Sequence, residues 1–276
     1  MRYAALPLLL AGLLALTGCE STFDKAERAR EAAGTIEQVT SADITQAAGI
    51  TAEAEGVIAS SDGFTAAVVV KITTQPGAAL LWPQIQIDVL DASGQVIGTN
   101  NIPGALPTLI HVPSAPAGAT SMYVNDQILI SGVPASAKVV IDGQPYAGEL
   151  PKPLEATAPT IVDDPSLGKA WTTTVTNTTG VRQEEVIVQV AVRKNGKVVG
   201  AGTALIQGGL DPGAKADVTG YFIGSADGDL EITVPASNAA DGQGAPAEGA
   251  PQPAATTTAP TSTGGVTAPA NTLQIG

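Results

Sequence analysis

The sequence predicts an all-β protein built from two antiparallel β-sandwich domains in tandem, and three observations lead there. Apolar residues alternate with period two over strand-length stretches, the repeat of an extended chain whose successive side chains point to opposite faces. Glycine and proline, 31 and 20 of the 276 residues, break the chain too often for long helices. The alternating pattern also occurs twice, once on each side of a proline-rich stretch. The core must come from Ala, Val, Leu and Ile, since the chain is 44% hydrophobic but only 3% aromatic.

Residues 1–18 read as a secretory signal, with Met1 and Arg2 as a positive start, an apolar run from Ala4 to Leu16, and the small residues Thr17 and Gly18 before Cys19. The run is too short to span a bilayer comfortably. Leu16-Thr17-Gly18-Cys19 resembles the lipobox of bacterial lipoproteins, where a diacylglyceryl group is added to the cysteine thiol and the chain is cut between Gly18 and Cys19. The resemblance implies export and anchoring to a membrane through lipid on Cys19, facing the periplasm or the cell exterior. Cys19 is also the single cysteine, so it has no internal disulfide partner. Two or more acyl chains hold a protein stably on a bilayer, and a lipidated Cys19 needs no transmembrane helix behind it.

Residues 19–50 read as a lipid-anchored helical stalk or linker. Residues 21–33 (STFDKAERAREAA) are good helix formers, Ser21 and Asp24 have capping-box spacing, and Gly34 ends the run. A stalk that lifts the body from the bilayer and a helix packed on the first domain are equally open.

The first sandwich is assigned to residues 51–143. Phe64, Ala66, Val68, Val70 and Ile72 alternate, as do Ile85, Ile87 and Val89, and Asp91-Ala92-Ser93-Gly94 makes a tight turn before Val96. These are expected to be half-buried strands. Pro145, Pro151, Pro153 and Pro159 mark a semi-rigid linker over residues 144–156. The second sandwich covers residues 157–235, with Val186, Val188, Val190 and Val192 on one face of a strand and a hairpin turn at Asn195-Gly196. Gly94-Gln95-Val96-Ile97-Gly98 and Gly196-Lys197-Val198-Val199-Gly200 correspond in the two halves, as do Pro116-Ala117-Gly118 and Asp211-Pro212-Gly213.

The run Thr174-Val175-Thr176-Asn177, the alternating valines, Asn195-Gly196-Lys197-Val198-Val199, and Leu210-Asp211-Pro212-Gly213 ahead of residues 216–222 are together similar to the FxLYD family of extracytoplasmic domains. That resemblance implies small immunoglobulin-like β-sandwiches of the prokaryotic envelope, without known catalytic machinery. It covers residues 157–235 well and 51–143 loosely. Ala191-Val192-Arg193 stands where the family often has leucine, tyrosine and aspartate, and a generic immunoglobulin-like sandwich stays open as the alternative. Residues 236–276, rich in Ala, Pro, Thr and Gly and free of aromatic residues, are expected to form a disordered tail.

Composition and motifs exclude most chemistry. A formal charge of -13 speaks against nucleic acid, which needs clustered Lys and Arg. His111 is the single histidine and is read as structural, which leaves no His-rich metal site. Ser166-Leu167-Gly168-Lys169 has the Ser-x-x-Lys spacing of penicillin-recognising enzymes but lacks their Lys-Thr-Gly companion. Asp163-Asp164 and Asp227-Gly228-Asp229 lack the ligand spacing of a calcium loop. Neighbouring strand residues such as Glu184 and Glu185 point to opposite faces and do not form an acid/base pair. Trp82 and Trp171 suit a sandwich core better than a sugar platform. No catalytic residue, metal site, cofactor or small-molecule ligand is therefore assigned. The expected function is a non-catalytic envelope lipoprotein that binds or spaces other envelope components, an envelope protein among the partners considered. The alternative is a solute-binding lipoprotein serving a transporter, against which stands the lack of alternating strand and helix patterns.

Overall fold

The computed structural model describes residues 44–101, 107–165 and 168–244. The signal segment, Cys19, residues 21–33 and the chain beyond residue 244 lie outside the described residues. The described chain is almost wholly β, in antiparallel sheets.

In the first half, β1 (Ile50–Ala59), β2 (Thr65–Thr74) and β7 (Thr120–Leu129) form one sheet, and β5 (Val96–Thr99), β4 (Gln84–Leu90) and β8 (Ser136–Asp142) form another. A short ribbon pairs β3 (Leu80–Leu81) with β6 (Ser114–Ala115). The helix α1 (Pro107–Ile110) closes the mouth of this sandwich: Tyr123 Oη donates to the Thr108 carbonyl, and Asn100 and Asn125 donate to that of Leu109.

In the second half, β10 (Thr160–Asp164), β11 (Gly168–Thr176) and β14 (Lys215–Tyr221) make one sheet, with β9 (Glu155–Ala156) also pairing with β11. The facing sheet runs in the order β15 (Ile223–Gly224), β13 (Lys197–Ile206), β12 (Val186–Lys194), β16 (Asp229–Thr233).

Local sequence sets the turns. Between β12 and β13, Asn195 and Gly196 both have positive φ, 53° and 75°, as a two-residue hairpin with right-handed strand twist demands. Between β4 and β5, Asp91 Oδ1 accepts from the Ser93 and Gln95 amides, and Gly94 supplies a φ of 84°.

Three apolar seams separate the four main sheets. The first packs Val68, Val70 and Ile72 of β2 against Ile85, Ile87 and Val89 of β4. The second is centred on Trp171 of β11 and Val186, Val188 and Val190 of β12. A third lies between these two sandwiches and joins Ala67 and Val69 of β2 and Met122 and Val124 of β7 to Ala191 of β12 and Ala201 of β13. The alternation expected along β2 and β12 is present, but these strands are not half-buried. Val68 and Val69 are both 0% exposed, as are Val190 and Ala191, because β2 and β12 carry a seam on each face.

The stretches flanking the sandwiches are tied down as well. Within residues 144–156, the Tyr146 amide donates to the Ala79 carbonyl, the Leu154 amide donates to that of Val234, and Leu154 is buried in the second core. Residues 236–244, which by composition belong with the tail, are held in place: Gln183 Oε1 accepts from the Ser237 and Asn238 amides, and Ser237 is fully buried. Composition did not anticipate this, because the anchoring groups, the buried Gln183 among them, lie on distant segments.

Candidate interaction surface

The seam between the sandwiches decides what surface is left to meet a partner. Three alanines, Ala67, Ala191 and Ala201, lie in it beside Val69, Met122 and Val124, and at its side Gly56 lies so close to Val198 that a β-carbon there would stand 2.6 Å from Cβ of Val198. Close approach leaves backbone groups that need partners. The Val124 amide donates to Gln189 Oε1 at 3.1 Å, and Asp126 accepts from the Thr203 amide at 2.8 Å and the Thr203 hydroxyl at 2.7 Å. At the rim, Arg193 forks between Glu55 at 2.5 Å and Glu231 at 2.7 Å. A second tie runs from the Trp82 indole N–H to the Ser237 carbonyl at 2.7 Å, and Tyr146 Oη donates to Asp241 at 2.8 Å. These contacts join the two halves beside the apolar seam.

Part of Asp126's surface reaches solvent, yet its carboxyl is crowded by protein, and desolvation pushes its pKa above the usual carboxylate range despite the Thr203 bonds. A raised folded pKa means that the associated stability is present below the ordinary carboxylate range and is lost as pH rises through the raised value. Asp126→Asn keeps an acceptor for the Thr203 amide without the charge. It is expected to be at least as stable as the parent at pH 7, and the difference should shrink towards pH 4. Denaturant midpoints at both pH values check this, and a variant clearly weaker at pH 7 would show that the charge itself holds the seam.

The sheet β10-β11-β14, at one end of the stack of sheets, presents an unpaired strand edge. Among the described residues no strand pairs the outer side of β10. Its outward face carries Thr160, Thr172 and Thr219 abreast, and beside them the row Val162, Ala170, Tyr221. Val162 and Tyr221 are 37% and 39% exposed, unusual for large apolar residues in this protein. An edge of this kind can accept an extended segment by strand addition. Acids at its end limit indiscriminate pairing: Asp163 pairs with Lys169 at 2.6 Å and Asp164 accepts from Tyr221 Oη at 3.1 Å.

The other residues singled out in the sequence are scattered. Cys19 and Gly18, like Ser166 and Leu167, lie outside the described residues. Lys169 is engaged by Asp163. His111 is half-buried, bridges to Gln84 along the backbone, and stands edge-on to Trp82 with ring centres 6.4 Å apart. Asp227 pairs with Lys194 at 2.7 Å, and this holds its carboxyl below the usual carboxylate range. Glu184 pairs with Arg182, whereas Glu185 precedes β12 with a φ of 45°. Among the described residues no three His, Cys, Asp or Glu side chains are grouped to hold a metal ion. Trp171 is fully buried in the second core, and Trp82 is 7% exposed.

The ties across the middle seam, through Gln189, Asp126 and Trp82, were not legible beforehand. The usable signals were the continuous apolar run Ala66-Ala67-Val68-Val69-Val70 of β2 and the run of β12 from Val186 to Val192, interrupted only by Gln189, both of which suit strands buried on both faces. No family model matches this chain, and no curated protein matches it.

Proposed function

We propose that this chain is a membrane-anchored lipoprotein of the bacterial cell envelope, exported, held by lipid on Cys19, and acting as a non-catalytic binding or structural module with FxLYD-like character in its second half. The observation that carries the reading is the tetrad Leu16-Thr17-Gly18-Cys19 directly behind a short apolar run and a positive start. The apolar seam between the sandwiches supports a module over a solute binder, which takes its ligand in a cleft. The open edge of β10 suits an envelope protein partner recognised by strand addition.

Replacing the lipid acceptor tests the anchor. In a bacterial host the parent protein is expected in the membrane fraction, and Cys19→Ala in the soluble exported fraction or as uncleaved precursor. Mass spectrometry of the parent should find the new N-terminus at Cys19 with diacylglyceryl mass on the sulfur. An unmodified sulfur, or a start site after Cys19, sinks the proposal.

A further inference from the structure

We propose that residues 236–239 are a releasable strap: clasped from both sandwiches, they hold Trp82 and Glu185 in strained backbone, and drawing them out frees the middle seam to open. The inference is independent of any lipid on Cys19. It starts from burial where the chain has left its last strand. β16 ends at Thr233, yet Val234, Pro235, Ala236, Ser237 and Ala239 are all buried. Val234 and Ala236 belong to the second core, and the next residue, Ser237, is polar and 0% exposed.

Ser237 is gripped from two sides. From the second sandwich, Gln183 Oε1 accepts from the Ser237 amide at 2.7 Å and the Asn238 amide at 2.8 Å, and Gln183 Nε2 donates to the Asn238 carbonyl at 3.1 Å. The Ser237 hydroxyl donates to the Glu184 carbonyl. From the first sandwich, the Trp82 indole N–H donates to the Ser237 carbonyl at 2.7 Å. Trp82 is 7% exposed yet belongs to none of the three apolar seams. The directed contacts of its side chain are the Ser237 carbonyl and the edge-on ring of His111.

Backbone strain converges on the same residue. Among the described residues three non-glycines have positive φ, Trp82 at 49°, Glu185 at 45° and Asn195 at 53°. The hairpin between β12 and β13 accounts for Asn195. Trp82 lies between β3 and β4, which do not pair with each other, and Glu185 precedes β12 outside any hairpin. A bulky side chain resists the left-handed region, and Trp82 also precedes Pro83, whose ring favours extended backbone before it. Such residues persist only where their surroundings over-determine them, and they gather at clamps and switches. Here one carries the indole that meets the Ser237 carbonyl, and the other directly follows the carbonyl that meets the Ser237 hydroxyl. The strap is thus held against two residues whose strain its departure relieves. Asn238 Oδ1, buried without a hydrogen-bond partner among the described residues, gains water by the same movement. Past the strap the chain turns, with the Ala239 amide on the Gln243 carbonyl and Tyr146 Oη on Asp241. A load or ligand taken up beyond residue 244 therefore reaches Ser237 before it reaches either core.

Amide hydrogen exchange of the full chain, read residue by residue, tests the coupling. The Val124 and Thr203 amides report on the seam, because their acceptors, Gln189 and Asp126, lie across it. Trp82→Phe keeps a ring and removes the donor to Ser237, so Ser237 and Asn238 are expected to exchange about fivefold faster. Val124 and Thr203 should speed up by the same factor, while Val70 and Val188, inside the two cores, stay unchanged. Glu185→Gly lets that position take its φ without strain and should slow the four amides about fivefold. Acceleration confined to Ser237 and Asn238 overturns the proposal, because a merely local stretch behaves that way. Equal acceleration at Val70 and Val188 overturns it too, since the ring would then hold the whole fold. So does unchanged exchange in either variant, or faster exchange in Glu185→Gly, which would mean that no strain is held at the joint.

Discussion

Trp171→Ala is expected to cost about 3–5 kcal/mol of stability, the range for deleting a fully buried aromatic ring. Trp171 is 0% exposed at the centre of the second core, and its ring lies directly over Gly220 of β14, where any side chain would collide with it. Its indole N–H is buried without a hydrogen-bond partner, so the ring contributes through packing alone. Trp171→Phe should therefore lose much less than Trp171→Ala. Thermal and denaturant unfolding of both variants decides the point. Equal losses would mean that the nitrogen has a partner after all and that polar pairing, not volume, holds the site.

The second large effect is expected in the middle seam. Ala67→Asp puts a carboxylate where β2 meets β12 and β13, at a position with 0% exposure and apolar neighbours. A buried charge without a partner costs about 3 kcal/mol or more, unless the surfaces part and let water in. Parting is the cheaper course here, because Ala67 belongs to neither of the two larger cores. The variant should thus lose the seam and keep both sandwiches. A single cooperative unfolding transition is expected to split in two, and protease should gain access to residues 144–153. Val133→Asp, on an exposed loop, is the matching control and should change little. One unshifted transition in Ala67→Asp would show that the seam contributes nothing to holding the halves together.

These expectations separate two kinds of information in the chain. Strand existence and turn chemistry were readable because their causes are local. Val68, Val70 and Ile72 share a face by the geometry of an extended backbone, and Asn195-Gly196 makes a tight hairpin because both residues tolerate positive φ. The role of Gln183 was not readable, because it depends on Ser237 and Asn238, more than fifty residues further along. The same holds for Trp82, whose indole reaches Ser237 across 155 residues.

The candidate site divides along the same line. The tetrad ending at Cys19, which resembles a lipobox, is legible because such a motif is linear and its reading needs no fold. The edge of β10 is not: Thr160-Ile161-Val162-Asp163-Asp164 reads as a strand wherever it is placed, and only the sheet order shows that no strand among the described residues pairs its outer side.

By itself, then, the sequence determined the all-β class, the position of the turns and the apolar faces of the principal strands. Tertiary structure alone decided that β2 and β12 are buried on both faces, that the two sandwiches share a third apolar seam, and that residues 236–244 are held in place. The physical reason is that period and turn propensity act between neighbours in the chain, whereas burial of a second face depends on small residues such as Ala67 and Ala201 meeting from distant strands.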